Sequence, residues 1–373
     1  MKNSKRYLRN QIATDLRQKM VFVAGPRQVG KTTLAKQFLK NPNLGYLNWD
    51  ISTHREQILK HELPNTKLWV FDEIHKYRNW RNYLKGIYDE YATTHQILVT
   101  GSAKLDYYRR GGDSLQGRYH HLRLYPLSAA EIGAHTPEDL QQLLTLGGFP
   151  EPFFSENHIN AKRWSREYRQ RLIEDDLVKL EQVRDLGTLE LLMLRLPHLV
   201  GSPLSINSLR EDLQVSHATV ANWLEVFVRL YAIFRLPPFG APTLRAVKKE
   251  QKHYHFDWTL VENSGPRFEN MVALHLLKWV HFLQDTEARE LELRYFRDID
   301  GREVDFIVTD KTKPILAIEC KWDAAEVSPG LRYFKLRFPE CSAWQLSMVG
   351  NKDYLSKDGI QVCTAVKFLS TLI

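Results

Sequence analysis

The stretch "MVFVAGPRQVGKTTLAKQFL", Met20 to Leu39, limits the possible folds more than any other part of the chain. Met20–Ala24 is an apolar run of strand length, and Leu34, Ala35, Phe38 and Leu39 recur at the spacing of a helix's buried face. Between them, Gly25 to Thr32 fit G-x-x-x-x-G-K-[ST]. A strand, a glycine loop and a helix in that order turn backbone N–H groups and a helix N-terminus toward one point, which suits a phosphate. The expected cradle runs through Gly25, Pro26, Arg27, Gln28, Val29, Gly30, Lys31, Thr32 and Thr33. Lys31 is expected to reach the terminal phosphates, and the Thr32 hydroxyl to ligate Mg²⁺.

Two more apolar runs end in polar residues. "KLWVFDEIHK" closes on Asp72 and Glu73, and "HQILVTGS" on Thr100 and Ser102. Ligands of open α/β sheets collect at the carboxyl ends of the strands. Asp72 is therefore expected to hold Mg²⁺, Glu73 to polarise an attacking water, and Ser102 or Thr100 to sense a terminal phosphate.

Together these residues resemble the AAA-type P-loop ATPases. "GRYHHLRLYPLSAAE" from Gly117 and "GGFPEPF" from Gly147 look like a narrower family, bacterial and archaeal ATPases with a C-terminal DUF4143 domain. The resemblance implies ATP and Mg²⁺ as cofactors, Mg²⁺-dependent hydrolysis, and a homo-oligomer, either dimer or ring, because such sites usually lie between subunits. It makes Arg118 the candidate phosphate-sensing or trans-acting arginine, with Arg109 and Arg110 as rivals.

After "GGFPEPF", the charges of "NAKRWSREYRQRLIEDDLVKLEQV" alternate as on a solvated helix face, with a lid over the nucleotide as the functional alternative. "GSPLS" from Gly201 breaks the pattern. Beyond it, Ile206, Leu209 and Leu213 mark one short helix, and Val220, Leu224, Phe227 and Leu230 a second. Ser216 is the expected N-cap of the second helix, and "YAIFRL" and "KHYHF" the strands of a wing. In a winged helix-turn-helix, His217 and Asn222 would face a major groove.

The stretch "RFENMVALHLLKWVHFL" predicts an amphipathic helix bearing Glu269, followed by three strands in "LELRYFRDIDGREVDFIVTDKTKPILAIECKW". Asp305 falls in the second strand and Glu319-x-Lys321 in the third. This is the D-(x)n-E-x-K pattern of the restriction-endonuclease-like, or PD-(D/E)XK, fold, with Glu269 as an added helix glutamate. Hard carboxylate oxygens suit Mg²⁺ against a phosphate, and Lys321 suits a water or developing charge. An ordinary surface ion pair between Glu319 and Lys321 is the plain alternative.

The expected fold class is α/β. Its expected parts are an AAA-type parallel-sheet domain at 1–145, a helical lid or linker at 146–200, a winged helix at 201–262 and a nuclease-like domain at 263–373. A net charge of +8 and a pI near 9.2 favour an anionic partner, here DNA. Three scattered cysteines, the absence of an apolar leader and the lack of a membrane-length apolar run point to a soluble, cytoplasmic protein with no membrane partner. The expected function is a DNA-binding ATPase that uses nucleotide to control its engagement of DNA ends or branches. An ATP-gated metal-dependent nuclease and a nucleotide-operated switch binding protein are the alternatives.

Overall fold

The computed structural model describes residues 6–101, 115–173, 185–240, 250–323 and 326–373. The chain divides into two compact units, Asn3–Pro126 and Leu127–Ile373. The three expected segments beyond residue 145 all fall in the second unit.

The first unit is built on five parallel strands: β1 (Met20–Ala24), β2 (Tyr46–Asn48), β3 (Leu68–Asp72), β4 (Gln96–Thr100) and β5 (Tyr119–Arg123), in the order β2-β3-β4-β1-β5. β1 and β3 are buried at every position, which is why they read as unbroken apolar runs rather than alternating ones. Three residues are too few to give β2 a sequence signal, and it was not expected. The helix Trp80–Tyr91 buries Trp80, Tyr83, Leu84 and Ile87, an i, i+3, i+4, i+7 stripe, in the core with Phe22, Phe71 and Val99. Each such side chain contributes about 1.5–3 kcal/mol of burial.

The second unit opens with short helices. Pro137–Leu146 starts at a reciprocal cap between Thr136 and Asp139, and His158–Arg171 starts at Asn157. The rest of that charged stretch, 174–183, lies outside the described residues. Helices Ile206–Leu213 and His217–Arg229 follow, separated by Gln214 in the left-handed region (φ 54°). The Ser216 side chain caps the second helix by accepting from the Thr219 N–H, as expected. Val220, Leu224, Phe227 and Leu230 are buried. A three-stranded antiparallel sheet completes this part: β6 (Pro203–Leu204), β7 (Ile233–Leu236) and β8 (Gln251–His255), with β8 in the middle.

A 24-residue helix, Ser264–Glu287, leads into the last sheet. Its strands are β9 (Leu291–Arg297), β10 (Glu303–Asp310), β11 (Lys313–Lys321), β12 (Ser342–Ser347), β13 (Tyr354–Leu355) and β14 (Ile360–Thr364). The order is β13-β14-β12-β11-β10-β9. β9, β10 and β11 are antiparallel neighbours joined by the two turns that the sequence marks, and Lys311 takes φ 56° in the second. The helix Pro329–Arg337 then carries the chain over so that β12 runs parallel to β11.

Candidate nucleotide site and C-terminal carboxylate cluster

The glycine loop leaves β1 at its carboxyl end. Gly25 has φ 146°, and a Cβ there would lie 2.1 Å from the Leu124 carbonyl oxygen, so only glycine fits. Gln28 and Gly30 are also at positive φ (59° and 98°), which curls the loop onto the N-terminus of helix Lys31–Lys36. The Lys31 ammonium is buried and donates to the carbonyls of Gly25 (2.9 Å) and Pro26 (2.6 Å), holding the cradle closed on itself.

Asp72 ends β3, parallel to Thr100 at the end of β4. Its buried carboxylate accepts three hydroxyls: Thr32 Oγ1 at 2.8 Å and Tyr46 Oη at 2.6 Å on Oδ2, and Thr100 Oγ1 at 2.6 Å on Oδ1. Tyr46 is itself held by the Asn48 side-chain amide at 2.9 Å. Thr32 and Asp72 are thus adjacent oxygen donors at a phosphate loop, a donor set that fits Mg²⁺ bound with nucleotide. When bound, that ion neutralises phosphate charge. Thr100 spends its hydroxyl on Asp72, and Ser102, Arg109 and Arg110 lie outside the described residues.

Glu73 follows with φ 56°, and its backbone N–H donates to the Thr100 carbonyl at 2.9 Å. Its carboxylate is close to Lys76 Nζ (3.4 Å) and His75 Nε2 (3.5 Å). Burial raises the Glu73 pKa above the usual carboxylate range, and Lys76 and Lys31 pull it back down. Arg118 is not brought to this edge. It precedes β5, whose start pairs with Met20 at the amino end of β1, so the length of β1, roughly 15 Å, separates it from the loop. There it forks onto Asp89 through Nε (2.7 Å) and Nη2 (3.2 Å).

One contact was not readable from the motif. Buried Arg6 donates from Nη1 to the Val29 carbonyl at 2.5 Å and from Nη2 to the Tyr125 carbonyl. It ties the cradle's outer turn to the segment after β5. A single arginine 23 residues upstream carries no local signal.

In the second unit the structure brings Glu269, Asp305, Glu319 and Lys321 into one neighbourhood. Asp305 Oδ2 accepts from the Cys320 backbone N–H at 2.8 Å, and Lys321 Nζ pairs with Glu319 Oε1 at 2.8 Å. Four further residues that the D-(x)n-E-x-K pattern does not include, Lys252, Glu303, Tyr254 and Gly201, complete it. Lys252 on β8 places Nζ 2.5 Å from Glu303 Oε1, 3.4 Å from Glu269 Oε1 and 3.7 Å from Asp305 Oδ1. Tyr254 Oη donates to Glu269 Oε1 at 2.6 Å. Gly201 (φ 83°) leaves room for Glu269, since a Cβ there would sit 2.9 Å from Oε2. Burial, then the neighbouring Glu269 and Glu319, push the Asp305 carboxyl well above its ordinary range. Burial also raises Glu319, against Lys321. Among the described residues no group of three or more His, Cys, Asp or Glu is arranged to hold a metal ion. The point where Glu303, Glu269 and Asp305 converge is thus taken by an ammonium of the chain and does not suit a divalent ion, whereas Glu319 Oε2 lies buried with no hydrogen-bond partner.

Loop, sheet order and paired Thr32–Asp72 define the first unit as a P-loop domain of the α/β class. Residues 17–133 match a family model described as an AAA domain. Residues 137–264 and 264–368 match two domains of unknown function, DUF8612 and DUF4143. Uncharacterized protein MJ1544 of Methanocaldococcus jannaschii is 24% identical over 338 residues, covering 80% of this chain and 74% of its own length. Uncharacterized protein Rv2008c of Mycobacterium tuberculosis is 23% identical over 321 residues, with 80% and 72% covered. Among solved structures, the RuvB Holliday junction branch migration motor of Thermotoga maritima matches at 17% identity and TM-score 0.30, over 62% of this chain and 89% of that one. Aeropyrum pernix ORC1 in complex with DNA matches at 14% and 0.34, over 72% and 94%.

Proposed function

We propose that the chain is an Mg²⁺-dependent ATPase that engages DNA and uses nucleotide to control that engagement. The contact between Thr32 and Asp72 carries the ATPase reading, since it joins the loop and the β3 carboxylate into one ion-binding pair. Lys31 neutralises the terminal phosphates, and the loop N–H groups orient them. Glu73, raised by burial and pulled back down by Lys76, orients and deprotonates the attacking water. Arg118, at the far end of the sheet and forked onto Asp89, would act on nucleotide only from another copy, and the proposal includes such a homo-oligomer, dimer or ring.

The DNA part rests on the net charge of +8 and on the second unit's build. Two helices joined by a tight turn and backed by a small antiparallel sheet support a winged helix, with exposed His217 and Asn222 on the second helix. Helix, three antiparallel strands, helix and a parallel strand, with Asp305 on β10 and Glu319 on β11, support a nuclease-like fold for the last part. ATP turnover measured without DNA and with single-stranded, blunt duplex and branched DNA tests the proposal. Stimulation by at least one form is expected. A chain that retains no oligonucleotide, with or without ATP, refutes the DNA reading while leaving the P-loop reading in place.

A further inference from the structure

The carboxylates of the nuclease-like part share a cation supplied by the chain. Lys252 Nζ lies within 3.7 Å of one oxygen each from Glu303, Glu269 and Asp305, and its side chain is 1% exposed. Three acidic oxygens from three separate places in the chain converge on one ammonium, which supplies the positive charge such buried carboxylates require. The residue is fixed there by the backbone. β8 is the middle strand of its sheet, and Lys252 is in register with Pro203 of β6 on one side and Leu236 of β7 on the other. Two residues further along the same face, Tyr254 saturates Glu269 Oε1. Strand pairing on both sides fixes the backbone of Lys252, and burial of its side chain holds the ammonium among the acids. An ion at bonding distance from these oxygens would stand beside a buried positive charge.

Resting on the nuclease-like reading of this part, we infer that Lys252 is the resident cation of the cluster, standing in for the divalent ion. The cluster then joins the small sheet to the helix Ser264–Glu287 and to β10. The C-terminal part grips its partner without metal-dependent phosphodiester cleavage.

The test is Mn²⁺ uptake by the full-length, nucleotide-free chain carrying Asp72→Asn, which removes the P-loop ion site. Uptake is read from the loss of the free Mn²⁺ electron paramagnetic resonance signal. The chain with Lys252 is expected to take up no Mn²⁺ that depends on Asp305. Lys252→Met is expected to gain one Mn²⁺ per chain, lost again when Asp305→Asn is added. A folded Lys252→Met chain that gains none overturns the inference, as does Asp305-dependent uptake while Lys252 is present. Should Lys252→Met not fold, the Lys252-bearing chain against its Asp305→Asn variant decides alone: equal uptake upholds the inference, and a difference overturns it. The readout is independent of DNA retention and ATP turnover, so its failure is distinct from failure of the proposed function.

Discussion

Thr32 Oγ1 donates to Asp72 Oδ2 at 2.8 Å across forty positions of sequence, and this hydrogen bond locks the helix after the loop onto the end of β3. The same oxygen accepts from Tyr46, so one atom is held from two sides.

Tyr46→Phe removes one of the three hydroxyls that orient Asp72 and leaves both expected Mg²⁺ ligands in place. The lost hydrogen bond is worth about 1 kcal/mol. The Mg²⁺ concentration for half-maximal ATP turnover should rise about fivefold, with little change in the ATP KM at saturating Mg²⁺. Turnover measured along an Mg²⁺ titration checks this. An unshifted curve would show that Tyr46 does not hold the carboxylate for the ion.

Glu73→Gln keeps the shape of the side chain and removes its basicity. Nucleotide should still bind, and turnover should fall about 10²- to 10⁴-fold, the usual range for a general base. Burial raises the Glu73 pKa, so the active deprotonated form is lost on the acid side at a higher pH than for an ordinary carboxylate. Lys76→Met removes the nearer stabilising charge and should move that acid limb higher still. A pH–rate profile of kcat for the two chains measures the displacement, and coincident limbs would exclude Glu73 as the titrating base.

The sequence made legible what is periodic or locally patterned. β1, β3 and β4 are buried on both faces and read as apolar runs, while the loop is spelled out in contiguous residues. The buried stripe of helix His217–Arg229 was equally plain. What stayed hidden depends on contacts over long separations. Tyr46 sits on a three-residue strand, and Arg6 acts through a backbone carbonyl. Lys252 reads as one more basic residue in "KKEQKHYH", yet the pairing of β8 buries it among acids contributed by other elements. The residues of the D-(x)n-E-x-K pattern lie near one another in the fold, but the ammonium beside Asp305 is set by tertiary structure. Arg118 fits its motif and lies at the other end of the sheet, because strand polarity is invisible until pairing is known.

His275 supplies a pH dependence of stability. Its Nδ1 hydrogen bonds with the Met271 carbonyl at 2.8 Å, and its Nε2 accepts from the Ala129 N–H at 2.9 Å. Protonating Nε2 would destroy the second bond. Burial, helped by Lys278, lowers the pKa from 6.5 to about 4. The neutral form's contribution is therefore complete above 6.5 and is lost as pH falls toward 4. It amounts to something on the order of 3 kcal/mol when fully developed. Buried Asp257 and Asp305 are raised and act in the opposite sense, so the effect is read by difference. Urea unfolding of the parent and of His275→Gln, which retains an acceptor, should converge as pH drops from 6.5 to 4. A constant gap would show that His275 does not titrate in this window.

Arg6 offers the sharpest test of how the cradle is held. Its guanidinium reaches two carbonyls, Val29 in the loop and Tyr125 beyond β5, and no shorter or single-headed side chain can span both. Arg6→Met keeps much of the aliphatic stem and removes both bonds. Hydrogen bonds from a charged group are worth about 1.5–3 kcal/mol each. The first unit should therefore lose about 3 kcal/mol of stability, and ADP should bind about tenfold more weakly because the loop's outer turn is released. Arg6→Lys can restore one bond and should fall between the two in both measurements. Calorimetric ADP titration alongside urea unfolding separates the effects. If Arg6→Met loses stability but binds ADP as tightly as the parent, Arg6 braces the fold and not the cradle.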